Sequence, residues 1–235
     1  MNEIKSKWQT KEIAQTYVEG VRGAIPGANL QLEVISKIVN KWFPLPSKVI
    51  DLGCGDGILG RLLLDEYPTA HIIFADFSEP MLEKLRNRIG SDKRATVVNI
   101  DFATSAWINK MEMEKPFDII VSGFAIHHQS DERKMDLYAE ILGLLSDGGL
   151  FLNLDQVSSA TVSIGKLFDS FFLDHMQRFI KNNRPNITMH EIEEAYYQDK
   201  KENIPAPVER QCQWLRDIGF EDVDCFCKTF ELVLF

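Results

Sequence analysis

In Val49-Ile50-Asp51-Leu52-Gly53-Cys54-Gly55-Asp56-Gly57 a short apolar run ends in an acid and then breaks into glycines at alternate positions. A second apolar run, Ala70 to Ala75, ends at Asp76. Between them, Ile58 to Tyr67 reads as a helix stopped by Pro68. A strand, a glycine turn, a helix and a second strand tipped by a carboxylate make a half-site for a nucleoside. The glycines let ligand and backbone approach closely, and the acid offers two oxygens to ribose hydroxyls.

The same rhythm continues on both sides of this unit. Lys48 to Leu52 reads as a buried strand and Ala70 to Ala75 as its neighbour. Ser78 is placed to cap the next helix, with Pro80 in its first turn and Leu82, Leu85 and Ile89 as its apolar stripe. Ala95 to Ile100 is a third strand, tipped by Asp101, and Phe117 to Ser122 is a fourth. The spacing predicts a helix over 131–146 with Met135, Tyr138, Leu142 and Leu145 on one side. Asp147-Gly148-Gly149 then turns into a fifth strand, Leu150 to Leu154. Upstream, residues 9–19 read as a short helix, and Gly20, Gly23, Pro26 and Gly27 as a turn. Leu32, Ile35, Val39 and Trp42 make a helical stripe over 28–43, ended by Pro44 and Pro46.

Short apolar strands alternating with amphipathic helices argue for a parallel sheet covered on both faces. Residues 156–205 break the alternation and read as an inserted helical cap. Val208, Cys212 and Leu215 mark a last helix. Val223 to Cys227 and Thr229 to Phe235 are too close in sequence for a parallel crossover, so they pair antiparallel. The expectation is one α/β domain over 1–235, a Rossmann-like, doubly wound seven-stranded sheet closed by an antiparallel hairpin. Residues 1–46 form an N-terminal helical extension, 47–155 a cofactor-binding core, 156–205 the cap, and 206–235 the last helix and hairpin.

Composition narrows the partners. The chain has 235 residues, 45% of them hydrophobic, and a net charge of −9. No basic footprint for a nucleic-acid backbone is visible, so a small or uncharged substrate fits better than a phosphate polymer. The cysteines, Cys54, Cys212, Cys225 and Cys227, include no CxxC pair, and Cys225-x-Cys227 reads as packing on one face of a strand, so no metal site is expected. A reducing cytosol is the simplest reading of those thiols. The start MNEIKSKWQTKEI lacks an apolar signal region, and no apolar run approaches the roughly 20 residues of a membrane span. A cytoplasmic protein is expected, and its oligomeric state stays open, a homodimer included.

Taken in order, these segments resemble the class I S-adenosylmethionine-dependent methyltransferases. Asp51 to Gly57 is similar to the family's glycine-rich motif, Asp76-Phe77-Ser78-Glu79-Pro80-Met81-Leu82 to its second motif, and Asp101-Phe102 to its third. Phe117-Asp118 through His127-His128 is similar to the fourth strand and its exit loop, and Leu145 to Gly149 to the turn before the fifth strand. The resemblance is strong over 47–155 and moderate over 221–235. A nicotinamide or flavin dinucleotide fold is the rival. Its GxGxxG pattern fails here because Ile58 stands where the third glycine belongs.

The resemblance implies S-adenosylmethionine as cofactor, S-adenosylhomocysteine as product and a small-molecule methyl acceptor. It implies that Gly53, Cys54 and Gly55 border the cofactor, with the Gly53 backbone close to the methionine part, and that Asp51 reaches the ammonium group through water. Asp76 would bind the ribose, or else act as a helix N-terminal acid beside Ser78. Phe77 and Met81 would pack on the adenine, or serve as plain core. Asp101 would accept from the adenine amino group while Phe102 contributes a backbone N–H; the alternative is a turn acid with a core aromatic. Gly123 and Phe124 would flank the methionine portion. Tyr17 and Arg22, with Ile25-Pro26, resemble the leading segment of one small-molecule group, in which Arg22 would pair with the cofactor carboxylate.

Methyl transfer is an in-line displacement at a carbon on a cationic sulfonium, so alignment and desolvation can supply much of the acceleration. A base matters only if the acceptor atom carries a proton. His127 and His128 are the candidates for it, with shaping of the pocket or of the next helix as the alternative. Phe168, Phe171, Phe172 and His175 fall at helical spacing in the cap, which with Met176, Tyr196 and Tyr197 would line an acceptor pocket. Asn153 and Asp155 leave the fifth strand on the same side. Two readings differ in class: an enzyme forming a modified sulfonium, and a non-catalytic S-adenosylmethionine-binding protein.

Overall fold

In the computed structural model, which describes residues 25–183 and 188–235, the run Lys48–Leu52 is strand β1, with every residue from Val49 on buried. It pairs in parallel with β2 (His71–Asp76) on one side and β4 (Phe117–Gly123) on the other. Outside β2 runs β3 (Ala95–Asn99), and outside β4 runs β5 (Leu145–Gln156), both again parallel. The hairpin strands β6 (Cys227–Thr229) and β7 (Leu232–Leu234) complete a sheet of seven strands in the order β3-β2-β1-β4-β5-β7-β6. β7 is antiparallel to both of its neighbours.

Strand alternation sends successive side chains to opposite faces. Val49, Ile72, Phe74, Ile119 and Val121 join one core, with α1 (Ala28–Trp42), α2 (Ile58–Glu66) and α3 (Glu79–Ile89). Ile50, Ile73, Ala75 and Ile120 join the other, with α4 (Ile108–Met111), α5 (Asp131–Leu144) and α8 (Val208–Ile218). This is the doubly wound arrangement. The cap consists of α6 (Val162–Asn183) and α7 (Met189–Lys200), which pack on each other through Leu173, Met176, Ile192 and Tyr196. Strand order reverses between β1 and β4, and the two exit loops part there to leave a crevice at the carboxyl ends of the strands.

Several boundaries and faces differ from the sequence expectation. The predicted helix 9–19, Tyr17 and Arg22 lie outside the described residues. In α1 the buried face is Gln31, Ile35, Ile38 and Val39, while Trp42 is 51% exposed, because Pro44 and Pro46 lead the chain away just beyond it. In α5 the buried stripe is Lys134, Leu137, Tyr138, Ile141 and Leu144, one step round from the predicted one. A fully buried lysine hides that stripe from a hydrophobicity reading. Lys134 is tolerated because its ammonium donates to the Ile204 carbonyl and pairs with Asp131. Pairing of β5 already begins at Leu145, and Ser146 to Gly149 is a bulge between Phe117↔Leu145 and Ile119↔Leu150. Residues 223–226 precede β6 and are not part of it. Ser78 occupies the N-cap position of α3, but its side chain makes no capping bond.

Phe74 is fully buried, and a Cβ added at Gly60 would stand 2.4 Å from its ring. The α2–β2 packing is therefore closed around this ring. Phe74→Ala is expected to cost about 3–5 kcal/mol of folding free energy. Urea unfolding would show it as a lowered midpoint with an unchanged slope.

Candidate functional site

The exit of β1 is a turn that only glycine accommodates. Gly53 has φ +68°, and a Cβ there would lie 2.4 Å from the Ala125 Cβ and 3.2 Å from the Phe102 ring. The close approach that excludes a side chain is thus to the β4 exit and the β3 exit, in addition to any ligand. The loop is fastened to β2: Gly53 N and Cys54 N donate to the Ala75 carbonyl at 2.8 and 3.0 Å. Gly55 N donates to Asp76 Oδ2 at 2.8 Å, and Ser78 N to Asp76 Oδ1 at 2.7 Å. Burial raises the Asp76 carboxyl above its usual range, although the N–H groups of Ser78, Gly55 and Phe77 pull it the other way. Each oxygen keeps a further lone pair for a second donor.

These loops enclose a cavity of about 350 Å³ lined by Gly53, Cys54, Gly55, Asp76, Phe77, Met81, Asp101, Phe102, Gly123, Phe124 and His128. The structure therefore brings together eleven of the residues singled out in the sequence, while Tyr17 and Arg22 lie outside the described residues. Asp101 caps its own turn through Ala103 N at 2.8 Å and still faces the cavity. The Phe102 loop is held from behind: Arg133 Nε donates to the Phe102 carbonyl at 2.9 Å, and its guanidinium forks onto Glu140. Phe124, at the β4 exit, adopts φ +53°, a backbone region that side chains seldom enter. Its N–H donates to the Leu154 carbonyl at 2.7 Å, which holds it there.

Two candidates stand elsewhere. Asp51 does not line the cavity: it is buried behind the loop, and its Oδ2 accepts from Gly60 N at 2.8 Å. An acid at the end of a strand looks the same in sequence whether it faces a ligand or the next helix. His127 also lies behind the wall, 5% exposed, with Nδ1 2.5 Å from the buried Asp155 Oδ1. Its ring packs against that of His128, centroids 4.1 Å apart, and His128 alone of the two reaches the cavity.

Sequence reasoning missed Asp56, Ser78, Ala103, Ala125, Gln129 and Glu202, which also line the cavity. All but Glu202 sit inside or beside the motifs and were findable by adjacency. Glu202 follows α7, and nothing local marks it. Asp56 pairs with Arg88, and Arg61 lies 3.9 Å away. Cys54, buried among Asp76, Asp51 and Asp56, has its thiol pushed well above the ordinary range, first by burial and then by those charges, so it is an inert wall.

A glycine loop, an acid at the tip of β2 and an acid at the exit of β3 are gathered in a crevice at the switch point, where open α/β folds bind their ligands. Comparison with known proteins specifies the fold. Residues 50–151 match the family profile described as methyltransferase domain. The malonyl-[acyl-carrier protein] O-methyltransferase 2 of Ilyobacter polytropus is 30% identical over 104 residues, 44% of this chain and 37% of that protein. The chain spans less than half the length of that relative. The carboxy-S-adenosyl-L-methionine synthase of a Nitratiruptor species is 23% identical over 228 residues, 96% of this chain and 90% of its own. A Methanococcus maripaludis structure assigned as an S-adenosyl-L-methionine-dependent methyltransferase superposes with a TM-score of 0.63 at 20% identity, covering 100% of this chain and 95% of that one. Residues 50–151 thus match a methyltransferase domain, and the fold of the chain is one that the Methanococcus structure shares. No helix among the described residues is long and apolar enough to cross a membrane.

Burial, and then the charge of His127, push the His128 imidazole down from 6.5 to about 4. The unfolded chain therefore binds more protons than the folded one between those values. The stability this group contributes is complete above 6.5 and is lost as pH falls toward about 4. Titration of the His128 ring protons by NMR is expected to show that low midpoint. His128→Gln is expected to flatten the acid side of the stability curve.

Proposed function

We propose that the chain transfers the methyl group of S-adenosylmethionine to a small-molecule acceptor and releases S-adenosylhomocysteine. The observation that carries this reading is the cavity itself, in which Asp76, already held by two backbone N–H groups, faces the space bounded by Phe77, Met81, Asp101 and Phe102. In this reading Asp76 takes the ribose hydroxyls, Asp101 the adenine amino group, and Phe77, Met81 and Phe102 the faces and edge of the ring. Gly53, Cys54, Gly55, Gly123 and Phe124 border the methionine portion. Asp51 acts from behind, by fixing Gly60 and with it the first turn of α2.

Bound there, the cofactor supplies a methyl carbon on a cationic sulfonium whose displacement leaves a neutral thioether. The residues have little charge to stabilise in such a transition state, so their work is to align the acceptor and keep water out. His128, neutral at physiological pH, can accept a hydrogen bond from an acceptor N–H or O–H. His127 and Asp155 hold its position. Residues 47–155 serve as the cofactor half and 156–205 as the acceptor cap. The acidic balance of the chain supports a small acceptor over a phosphate polymer.

A second reading, formation of a modified sulfonium, is favoured by the end-to-end similarity to the carboxy-S-adenosyl-L-methionine synthase. Against it stands the lining, which among the described residues includes no lysine or arginine to receive an added carboxylate. Mass spectrometry of the nucleoside recovered from the protein separates the two. Incubation with labelled methyl donor and a metabolite extract identifies the acceptor; cofactor binding with no labelled product on any acceptor would favour a non-catalytic role. Asp76→Ala is expected to weaken S-adenosylmethionine binding by about 1–3 kcal/mol through lost charge-assisted hydrogen bonds. Unchanged affinity in calorimetry, with Asp76→Asn as the shape-preserving control, would refute the ribose role.

A further inference from the structure

The linker 201–207 between α7 and α8 ties the cap to the core from one side. Ile204 N donates to the His127 carbonyl at 2.8 Å, and the Ile204 carbonyl accepts from the buried Lys134 ammonium. A second attachment is aromatic. Ile25, Phe168 on α6 and Leu232 on β7 form a buried cluster, and Phe124, Phe172 and Phe230 pack against it. The Phe168 ring centroid lies 5.5 Å from that of Phe172 and 6.3 Å from that of Phe230. Two members of this group stand on strained backbone. Phe124 leaves β4 at φ +53°, and Phe230 has φ +54° in the two-residue turn between β6 and β7. Glycine enters that region without steric cost and is the usual first residue of such a turn. A phenylalanine at both points is there for its ring, since the backbone alone would favour glycine.

The Phe230 ring serves the cap, standing 5.2 Å from that of Phe171 as well. Phe124 does more: among the described residues it is the member of this group that lines the cavity, with its neighbours Gly123 and Ala125 and with His128 and Gln129. In the reading above the adenine already has Phe77, Met81 and Phe102, and the methionine portion is an aliphatic chain with polar ends, so neither calls for this ring. The charged groups on the cap side are engaged. Lys200 pairs with Asp169, which also accepts from the Tyr196 hydroxyl at 2.7 Å, and the buried Glu231 accepts from Ser159 and Gln156. What backs Phe124 is therefore apolar. Building on the methyltransferase reading, we propose that Phe124 is a specificity-determining residue whose ring seats the body of the acceptor, and that the acceptor is a flat, apolar molecule. Ile25, Phe168 and Leu232 hold the ring in place from behind, as a stacking face requires.

Naphthol, flat and apolar, and glycerol, which is neither, serve as probes. Each is titrated by calorimetry into the full chain saturated with S-adenosylhomocysteine. The chain is expected to bind naphthol and not glycerol. Phe124→Gly removes the ring and relieves the backbone at once, and is expected to weaken naphthol by about fivefold, the scale of an aromatic stack. Phe124→Tyr keeps the flat face and is expected to match the wild type. Phe124→Leu, apolar but not flat, retains a contact with the cap and is expected to fall between them, which gives the same comparison in a second fold-preserving variant. Naphthol affinity unchanged in both Phe124→Gly and Phe124→Leu overturns the inference. So does a wild-type chain that takes up S-adenosylhomocysteine but not naphthol, or that binds glycerol equally well. A chain that binds neither S-adenosylmethionine nor S-adenosylhomocysteine sinks the methyltransferase reading itself, an outcome distinct from a probe affinity that fails to move.

Discussion

The tip of β2 holds the glycine loop, and the rest of the site is arranged around that bond set. Ala75 offers its carbonyl to two successive N–H groups of the loop, and Asp76 offers one oxygen to a third. A loop of glycines would otherwise sample many conformations, and ordering it costs more backbone entropy than ordering most sequences. The bonds to β2 offset that cost before any ligand arrives. They also explain how a buried carboxylate is tolerated: its charge is solvated by fixed backbone dipoles in place of water.

The remaining walls are braced in the same manner, from behind and by groups that never face the cavity. Arg133 on α5 holds the carbonyl of Phe102 while Glu140 holds Arg133, and Trp107 donates to that same Glu140 at 2.7 Å. His127 is braced by Asp155, and Ser122 ties β4 to the end of β1 through the Leu52 carbonyl at 2.8 Å. Such buried, satisfied pairs fix loops at the open end of a sheet, where few apolar contacts are available. A preorganised cavity suits a reaction that depends on alignment more than on charge stabilisation.

Much of this was legible in the sequence, for physical reasons that differ by residue. Gly53, Gly55 and Gly57 have positive φ, and glycines at alternate positions after an apolar strand point to a left-handed turn that side chains would block. Asp76 was legible because an acid closing a buried strand must find donors. Asp51 was misplaced because the same logic applies to it, and the donor it finds is Gly60. The face of α5 was misread because Lys134 is buried by tertiary partners, Asp131 and Ile204, that hydropathy does not register. The start of β5 was hidden by a glycine-containing bulge that reads as a turn. Glu202 was invisible, since its place depends on where a linker docks some 70 residues from its partners.

That docked linker makes the two halves of the molecule inseparable in one respect. Recombining proteins of this fold by exchanging caps assumes that the pocket at the strand ends is a module left untouched by the graft. Here the seam runs through the pocket wall, because the segment that returns from the cap donates from Ile204 N to the His127 carbonyl and contributes Glu202 to the lining. A chimera carrying a foreign cap would inherit a foreign stretch of pocket wall along with it.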